Sequence, residues 1–258
     1  INNEITVDFF KKHNYFGYDP EYVHFFVQEM APAVSYDGKV LLEAKDRIAI
    51  SPNGNGGWYR SLKLAGLVDH IKENGITHIS TFAVDNVLQQ INDPAFVGAS
   101  LISNTDCCAK VIRKNDPEEK VGVLCLEDGH PSIVEYYEIT DEMRNLRDEE
   151  GELVYTFGVI LNYMFTISFL ERTAKNGLSF HLVNKKVPYI NENGNKVSPI
   201  EPNAIKFEQL ILDMVHLTDT CLAYEIVREK EFAPVKNPTG VDSVESAREL
   251  LVKNGVEI

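Results

Sequence analysis

The pattern of hydrophobic and polar positions predicts alternating strands and helices in the first third of the chain. Residues 22–28 are an apolar run that ends in a polar residue, which is typical of a central strand in a covered sheet. Residues 47–50 predict a strand. Residues 59–72 predict an amphipathic helix that stops at Gly75, and residues 76–84 predict another strand. This order of strand, loop, helix and strand indicates a right-handed α/β crossover.

Beyond residue 94 the pattern changes toward β-rich segments, which we interpret as hairpins inserted into an α/β sheet. The strands predicted there are residues 107–113, 120–126, 132–139, 153–164 and 222–227. The other predicted helices are residues 7–12, 203–215 and 244–253. The expected fold class is therefore α/β, with a mixed, mostly parallel sheet and inserted β-hairpins.

Residues 51–60, Ser-Pro-Asn-Gly-Asn-Gly-Gly-Trp-Tyr-Arg, form a glycine-rich run between a predicted strand and a predicted helix. Glycine reaches backbone angles that are closed to other residues, so the main chain here could lie flat against a ring or a phosphate. No Gly-Lys-Ser/Thr follows, which excludes a Walker loop, and Tyr59 replaces the third glycine of a dinucleotide fingerprint. From the pattern alone, a plain glycine-rich turn is an equally good interpretation.

The charge balance limits the classes of ligand. Lysine and arginine number 25 against 39 aspartates and glutamates, which gives a formal net charge of −14. General binding to nucleic acid or to an anionic membrane is therefore not expected, and a polyanionic ligand needs local lysines or a divalent metal ion. The four cysteines include no Cys-x-x-Cys pair, and no apolar run reaches the length of a membrane span. We expect a cytoplasmic protein with reduced thiols.

Asp85 is the first candidate for site chemistry, because it follows a predicted strand. The carboxyl ends of α/β strands are where such sheets place ligand and metal groups. A hard oxygen ligand at this position could hold Mg²⁺ between phosphate groups. The alternative is that Asp85 caps the next segment, since aspartate is favoured at helix starts.

Lys206 and Lys236 each follow a proline-containing segment, which fixes the local chain. A lysine in such a place can neutralise a phosphate oxygen as a compact point charge. The alternative for both is a solvated surface position, and the same applies to the pair Lys185-Lys186. Glu135, which lies within a predicted strand and beside tyrosines, could bind sugar hydroxyls, or it could be a half-exposed strand residue.

An ordered series of motifs covers nearly the whole chain. It comprises Phe-Phe-Val-Gln-Glu-Met-Ala-Pro-Ala (25–33), Ser-Tyr-Asp-Gly-Lys (35–39), the glycine-rich run (52–60), Val-Asp-Asn (84–86), Val-Gly-Val-Leu-Cys (121–125), Val-Glu-Tyr (134–136), His181 with Lys-Lys-Val-Pro-Tyr (185–189), Pro-Asn-Ala-Ile-Lys (202–206) and Glu-Phe-Ala-Pro-Val-Lys-Asn (231–237). The series resembles the eukaryotic-type UDP-N-acetylhexosamine pyrophosphorylases of the UTP:sugar-1-phosphate uridylyltransferase family. The resemblance implies a Rossmann-like sheet of the nucleotide-diphospho-sugar transferase type.

The resemblance also implies which residues meet the nucleotide. Gln28 and Gly54 would contact the uracil or its ribose. Lys206 would meet the nucleotide phosphates, and Asp85 would sit there through Mg²⁺ or Mn²⁺. On this interpretation Lys206, Lys236 and Asp85 are the catalytic residues.

The same resemblance assigns a sugar pocket. Asn55, Gly122 and the pair Glu135-Tyr136 would line it, and Lys236 would meet the sugar phosphate. The implied reaction joins UTP and N-acetylglucosamine-1-phosphate into UDP-N-acetylglucosamine and releases pyrophosphate. The attacking phosphate is already an anion, so no general base is needed, and catalysis would rest on alignment and charge neutralisation.

Two departures from the family pattern qualify these expectations. The family's glycine-rich loop, Gly-Gly-x-Gly-Thr-Arg-Leu-Gly, and its downstream lysine are absent from this sequence. We therefore expect an interior portion of a longer protein, with residues 1–237 as the central catalytic domain and residues 238–258 as the start of a connection to a C-terminal lobe. This segment alone is not expected to turn over UTP.

The second departure is Val159, which stands where the family usually has a sugar-binding asparagine. Since valine cannot make that hydrogen bond, we expect altered or relaxed sugar choice. Two alternatives to the main interpretation stay open: a non-catalytic homologue that binds nucleotide sugars, and a UDP-sugar pyrophosphorylase of broader specificity. Asn55 with Gly56-Gly57 and the Glu135-Tyr136 pair favour the N-acetylhexosamine branch.

Overall fold

A computed structural model describes residues 2–257 of the 258-residue chain. The chain divides into two compact units. Unit 1 consists of the chain up to Gly75 together with Asn176–Ile211, and unit 2 consists of Ile76–Lys175 together with the chain from Leu212 onward. The polypeptide therefore starts in unit 1, crosses to unit 2, returns to unit 1 and finishes in unit 2.

The elements are mostly short. The helices, in chain order, are α1 (Asn3–Lys12), α2 (Trp58–Leu64), α3 (Leu67–Glu73), α4 (Pro94–Ser103), α5 (Asp141–Asn145), α6 (Ile167–Asn176), α7 (Leu212–His216), α8 (Arg228–Glu231) and α9 (Val244–Lys253). The strands are β1 (Met30–Pro32), β2 (Val34–Ser35), β3 (Leu42–Ala44), β4 (Arg47–Ile48), β5 (Ile50–Pro52), β6 (His78–Phe82), β7 (Cys107–Arg113), β8 (Val123–Glu127), β9 (His130–Val134), β10 (Phe157–Thr166), β11 (His181–Lys185), β12 (Tyr189–Ile190), β13 (Lys196–Val197), β14 (Ala204–Glu208) and β15 (Cys221–Glu225).

Unit 1 is built from short antiparallel pairs. β14 is the middle strand of a three-stranded sheet in the order β11-β14-β2, while β1 pairs with β5, β3 with β4 and β12 with β13. A buried cluster of small apolar side chains, Ala33, Ala49, Val187 and Ala204, joins these pairs. Small side chains let several backbones approach one another closely, which suits a unit made of short strands.

Unit 2 is organised around β10, the longest strand. The sheet runs β15-β7-β10-β8-β9, and β6 also pairs with β10. The pairing of β10 with β7 shifts register between Val159 and Tyr163, and Leu161 within this shift has a φ of 53°. Such a bulge bends a long strand and re-aims its side chains. Buried side chains on and around the sheet, including Ile112 and Ile160, form its core.

The six-stranded sheet is mixed, as expected, but it is not mostly parallel. β15 pairs with β7 in parallel, and the other strand pairs described in this sheet are antiparallel. The predicted α/β crossover is also wrong, because β5 pairs with β1 whereas β6 pairs with β10 in a different sheet. The chain pattern showed strands and a helix in the right order but contained no information on strand partners.

One further segment prediction is wrong, and two are right only in part. Residues 23–29 have no regular structure, and Val27 in this run is 61% exposed, so the apolar pattern there does not reflect a covered strand. The predicted helix 59–72 is interrupted at Gly66, whose φ of 74° ends α2 before α3 begins. Residues 203–215 begin with strand β14 rather than a helix, since their apolar side chains pack in a sheet between β11 and β2.

Several predictions are confirmed. α9 has the bounds predicted for it, and Ser243 and Ser246 form a capping box at its start. β7 also has the predicted bounds, and β15 lies within one or two residues of them. β8 and β9 form the inserted hairpin, paired from Val123 opposite Val134 to Glu127 opposite His130.

Among residues 2–257, no helix is both long enough and apolar enough to cross a membrane.

Candidate functional site

The glycine-rich loop of unit 1 is pressed against the backbone of residues 209–210. Gly54 has a φ of 86°, and a Cβ placed on it would lie 2.2 Å from the carbonyl oxygen of Gln209. A Cβ on Gly56 would lie 2.7 Å from the backbone of Leu210. These distances are far below a van der Waals contact, so both positions require glycine for internal packing.

Hydrogen bonds hold the loop in this position. The Gly56 N–H donates to the Gln209 carbonyl at 2.7 Å, and the Gln209 N–H donates to the Asn53 carbonyl at 2.7 Å. The Ile211 N–H donates to Asn55 Oδ1 at 2.9 Å. The Oδ1 atom of Asn55 is thus engaged within the protein, and since Asn55 is an exposed residue, its Nδ2 group is the part that could donate to a ligand.

Gln28 lies beside the same loop. Its Nε2 group donates to Asn53 Oδ1 at 3.4 Å and also to the carbonyl oxygen of Gly54. The structure therefore brings three predicted ligand residues, Gln28, Gly54 and Asn55, to one loop. Each is fixed by contacts within unit 1.

Lys206 projects from β14 into a cavity of unit 1 with a volume of about 360 Å³. The side chain is half-buried, and no ion pair to it is found among residues 2–257. Lys186 and Lys196 line the same cavity, whereas Lys185 does not. The alternative of a fully solvated surface lysine does not describe Lys206, although Lys185 fits it well.

Asp85 and Lys236 are neighbours in unit 2. Asp85 follows β6 by three residues, and its Oδ2 atom lies 4.0 Å from Lys236 Nζ. Their backbones are joined, since the Val235 N–H donates to the Asp85 carbonyl at 2.9 Å. The alternative that Asp85 caps a helix is wrong, because the next helix in the described chain is α4, which is capped by Asp93.

Asn86 locks the two segments that carry this pair. Its Oδ1 atom accepts from the Ala233 N–H at 2.8 Å, and its Nδ2 group donates to the Glu231 carbonyl at 2.7 Å. The side chain is buried, with 4% exposure. Asp85 and Lys236 are consequently positioned by a buried amide rather than by their own ion pair, which is exposed and therefore weak.

A buried ion cluster lies behind these segments. Lys110, on β7, is fully buried, and its Nζ atom donates to Asp93 Oδ2 at 2.9 Å and to Glu231 Oε2. Burial raises the pKa of Asp93, but the hydrogen bonds from Lys110 and from the Ala95 N–H, together with the lysine charge, outweigh burial and bring that pKa below its ordinary value.

The third group of predicted residues surrounds Gly122. The Val159 N–H donates to the Gly122 carbonyl at 2.9 Å. A Cβ placed on Gly122 would lie 3.5 Å from Val159 Cγ2 and 3.6 Å from Glu135 Oε2. Gly122, Glu135 and Val159 are therefore near neighbours, so the side chain of residue 159 borders the space beside Glu135.

Glu135 and Tyr136 do not lie within a strand, contrary to the prediction. β9 ends at Val134, and residues 136–138 form a turn. The ring of Tyr136 packs edge-on against Tyr137, with 5.2 Å between ring centroids. Burial, followed by the negative charges of Glu135 and Glu138, raises the pKa of Tyr137 above its ordinary value, so this phenol stays neutral at neutral pH.

No ready-made metal cage is present in the part of the chain that is described. Among those residues, no group of three or more histidine, cysteine, aspartate or glutamate side chains could hold a metal ion. Asp85 offers one carboxylate, with 33% exposure. That donor set fits a Mg²⁺ ion bound by one carboxylate, substrate phosphates and water, and it does not fit an all-protein site.

Sequence reasoning overlooked the residues that support the site. Lys110 has a clear signal, because it is a charged residue in the apolar strand Cys-Cys-Ala-Lys-Val-Ile and a buried lysine needs a partner. Asn86 stands out in the sequence only as part of the Val-Asp-Asn motif (84–86). Lys196 gave no signal, since only the tertiary structure places it beside Lys206.

Comparison with known proteins decides the family. The model of the family described as UTP–glucose-1-phosphate uridylyltransferase matches residues 2–253. The chain belongs to this family. The family resemblance inferred from the motifs is thereby confirmed.

Relatives within the uridylyltransferase family are similar across nearly the whole chain. UDP-N-acetylhexosamine pyrophosphorylase-like protein 1 from Homo sapiens is 42% identical over 252 residues, covering 96% of this chain and 50% of that protein. The crystal structure of a putative UDP-N-acetylglucosamine pyrophosphorylase from Entamoeba histolytica has a TM-score of 0.88 and 37% identity, covering 97% of this chain and 63% of that chain.

A second solved structure of the family is the uridine diphosphate N-acetylglucosamine pyrophosphorylase from Trypanosoma brucei in complex with an inhibitor. Its TM-score is 0.86 at 27% identity, covering 98% of this chain and 51% of that chain. The chain spans about half the length of the curated relatives that it matches.

Proposed function

We propose that this protein acts as a uridylyltransferase, which forms UDP-N-acetylglucosamine and pyrophosphate from UTP and N-acetylglucosamine-1-phosphate. The observation that carries the proposal is the similarity, across 97% of the chain at 37% identity, to a structure named as a putative UDP-N-acetylglucosamine pyrophosphorylase. The arrangement of Asp85 and Lys236 supports it, because a carboxylate and a lysine at adjoining loops suit a phosphate ligand and its metal ion.

In the proposed reaction, an oxygen of the sugar phosphate attacks the α-phosphorus of UTP. A new bond forms between that oxygen and the α-phosphorus, while the bond from the α-phosphorus to the bridging oxygen of the β-phosphate breaks. Pyrophosphate leaves with the electron pair. The nucleophile is already an anion, so the protein residues need only align and neutralise the phosphates.

Unit 1 is proposed to bind the nucleotide. Gln28 and Gly54 would contact uracil or ribose, and Lys206 would bind the nucleotide phosphates. Lys206 is half-buried, and no ion pair to it is found among residues 2–257, which supports its role because its charge is then available to neutralise a phosphate. Asn55 would contribute its Nδ2 group to the sugar.

Unit 2 is proposed to bind the sugar phosphate and the metal ion. Lys236 would bind the sugar phosphate, and Asp85 would hold Mg²⁺ or Mn²⁺, which neutralises negative charge on the phosphates when it is bound. Gly122, Glu135 and Tyr136 would line the sugar pocket. Val159 borders Glu135, and its apolar side chain supports the further proposal of altered or relaxed sugar choice.

The first experiment measures pyrophosphate release from UTP and N-acetylglucosamine-1-phosphate, on the 258-residue chain and on any longer form of the protein. We expect release by a longer form and none by the chain alone, which lacks the family's phosphate-binding loop. In the active form, Asp85→Asn and Lys236→Met should each lower kcat/KM by about 10²-fold, whereas the exposed controls Asp219→Asn and Lys230→Met should not. Absence of both turnover and UDP-N-acetylglucosamine binding in every form would contradict the proposal.

Sugar choice is tested in the same assay. The values of kcat/KM are compared for N-acetylglucosamine-1-phosphate, N-acetylgalactosamine-1-phosphate and glucose-1-phosphate, in the native protein and in Val159→Asn. We expect little discrimination in the native protein and more in the variant. A strong native preference for N-acetylglucosamine-1-phosphate would refute relaxed choice. The boundary at residue 237 and a cytoplasmic location stay proposals that rest on the sequence.

A further inference from the structure

The cavity that receives Lys206 has an unusual charge for this protein. The chain carries a net charge of −14, yet among the described residues the cavity lining includes Arg47, Lys186, Lys196 and Lys206 and a single carboxylate, Glu43. Glu43 is already bonded to Arg47. The three lysines are therefore the uncompensated charges at this place.

The three lysines that line the cavity come from different parts of unit 1. Lys206 lies on β14, Lys196 on β13, and Lys186 directly after β11. Lys206 is half-buried, while Lys186 and Lys196 are exposed. No ion pair to these three side chains is found among residues 2–257. Three like charges that converge without a counter-charge repel one another, so an anion that binds between them is stabilised.

The floor of the cavity is apolar and close-packed. Ala33, Ala49 and Val187 are buried there and belong to the core of unit 1. The cavity volume of about 360 Å³ lies within the range of sites for small molecules. A cavity of this size, lined by buried apolar residues and by lysines, favours a compact ligand with several negative charges rather than an extended polymer.

We propose that this cavity is a polyphosphate-binding site of unit 1, in which Lys186 and Lys196 join Lys206 in binding a pyrophosphate group. The inference deepens the proposed function and rests on it for the source of that group, which is either UTP or the pyrophosphate released from it. Lys186 and Lys196 are the new binding residues. Arg47 is not assigned to the pyrophosphate group, because its charge is paired with Glu43.

The experiment measures binding of inorganic pyrophosphate, UTP and uridine to the 258-residue chain by titration calorimetry. We expect pyrophosphate and UTP to bind, with affinity that falls as ionic strength rises. Lys206→Ala should weaken pyrophosphate binding about tenfold, because Lys206 is the half-buried lysine of the three that line the cavity. Lys186→Ala and Lys196→Ala should each weaken it by roughly threefold to fivefold, as expected for exposed charges.

Two further variants guard against misinterpretation. Lys185→Ala removes the neighbouring lysine that does not line the cavity, and it should leave pyrophosphate affinity unchanged. Glu43→Gln removes the lone carboxylate and releases Arg47, so it should tighten pyrophosphate binding severalfold. A gain of affinity cannot arise from misfolding. The thermal unfolding midpoints of all the lysine variants should match that of the native protein, since no ion pair to these lysine side chains is found among residues 2–257.

The outcomes separate this inference from the proposed function. If UDP-N-acetylglucosamine is formed but Lys186→Ala and Lys196→Ala bind pyrophosphate like the native chain, the cavity inference is wrong and the proposed function stands. If pyrophosphate binds with the predicted lysine dependence and no form of the protein releases it from UTP, the proposed function is wrong. Binding of UTP without binding of inorganic pyrophosphate would overturn the inference, because lysines that hold a pyrophosphate group should also bind the free anion.

Discussion

The glycine-rich loop of unit 1 and the Asp85–Lys236 segments of unit 2 hold their candidate ligand residues by different physical means. The loop is fixed by backbone packing, by backbone hydrogen bonds to Gln209 and by the hydrogen bond from the Ile211 N–H to Asn55 Oδ1, and none of these contacts involves an ionisable group. The unit 2 segments are fixed by Asn86 and by Glu231, which belongs to the buried ion cluster around Lys110.

This difference predicts how each region responds to change. Backbone packing tolerates no added side chain, but it is indifferent to pH. A buried ion cluster depends on every charged member, because removing one leaves the others desolvated and unpaired.

The largest effect is expected from Lys110→Met, which removes the cation between two largely buried carboxylates. Asp93 and Glu231 would then be buried beside each other without a counter-charge, which should lower the free energy of unfolding by about 3–5 kcal/mol. Urea unfolding at neutral pH measures the loss. Lys63→Met, at an exposed position on α2, is the matched control and should change little. A loss below about 1 kcal/mol would show that the cluster is not desolvated.

A smaller effect is expected when a methyl group is added to the glycine loop. Gly54→Ala meets both a positive φ and the backbone of Gln209, whereas Gly66→Ala meets only a φ of 74° with no atom within 4 Å. The φ term should cost about 1–2 kcal/mol in both variants, and the clash should add about 1–3 kcal/mol in Gly54→Ala. The two free energies of unfolding are compared at the same pH. Equal losses would mean that the loop shifts away from residues 209–210 at no cost.

The smallest effect is expected in how the free energy of unfolding depends on pH, and it concerns Asp93. The folded-state pKa of Asp93 lies below its ordinary value of 3.8, because the Lys110 and Ala95 hydrogen bonds outweigh burial. The unfolded chain therefore takes up this proton first, and the stability that the ionised carboxylate contributes is complete above the ordinary value and is lost as pH falls through the folded pKa. Asp93→Asn should flatten the decline of unfolding free energy between about pH 5 and pH 2.

The control for this pH dependence is Gly54→Ala, which destabilises unit 1 without touching the cluster. Its stability should decline with pH as steeply as that of the native chain. If Asp93→Asn declines just as steeply, the ionised form of Asp93 contributes nothing measurable.

The local pattern of apolar and polar residues was sufficient to predict some helices and strands, but it was insufficient for others. β7 and α9 have their predicted bounds because a continuous apolar strand and a capped amphipathic helix are specified by neighbouring residues. Residues 22–28 resemble a strand just as strongly, but in the structure no neighbouring strand pairs with them, and residues 23–29 have no regular structure. A strand exists only when another segment accepts its backbone hydrogen bonds, and that segment is distant in sequence.

In the candidate site, too, some features depend on residues that are neighbours in the sequence and others on segments that are distant in it. The sequence by itself determined the family, the motif order and the placement of Asp85 just after a strand, since these depend on residues that are adjacent in the chain. The tertiary structure alone decided that Lys186 rather than Lys185 lines the cavity, and that Gly54 must be glycine because of the backbone of Gln209. The physical reason is that charge pairing, burial and close approach are properties of segments brought together by folding.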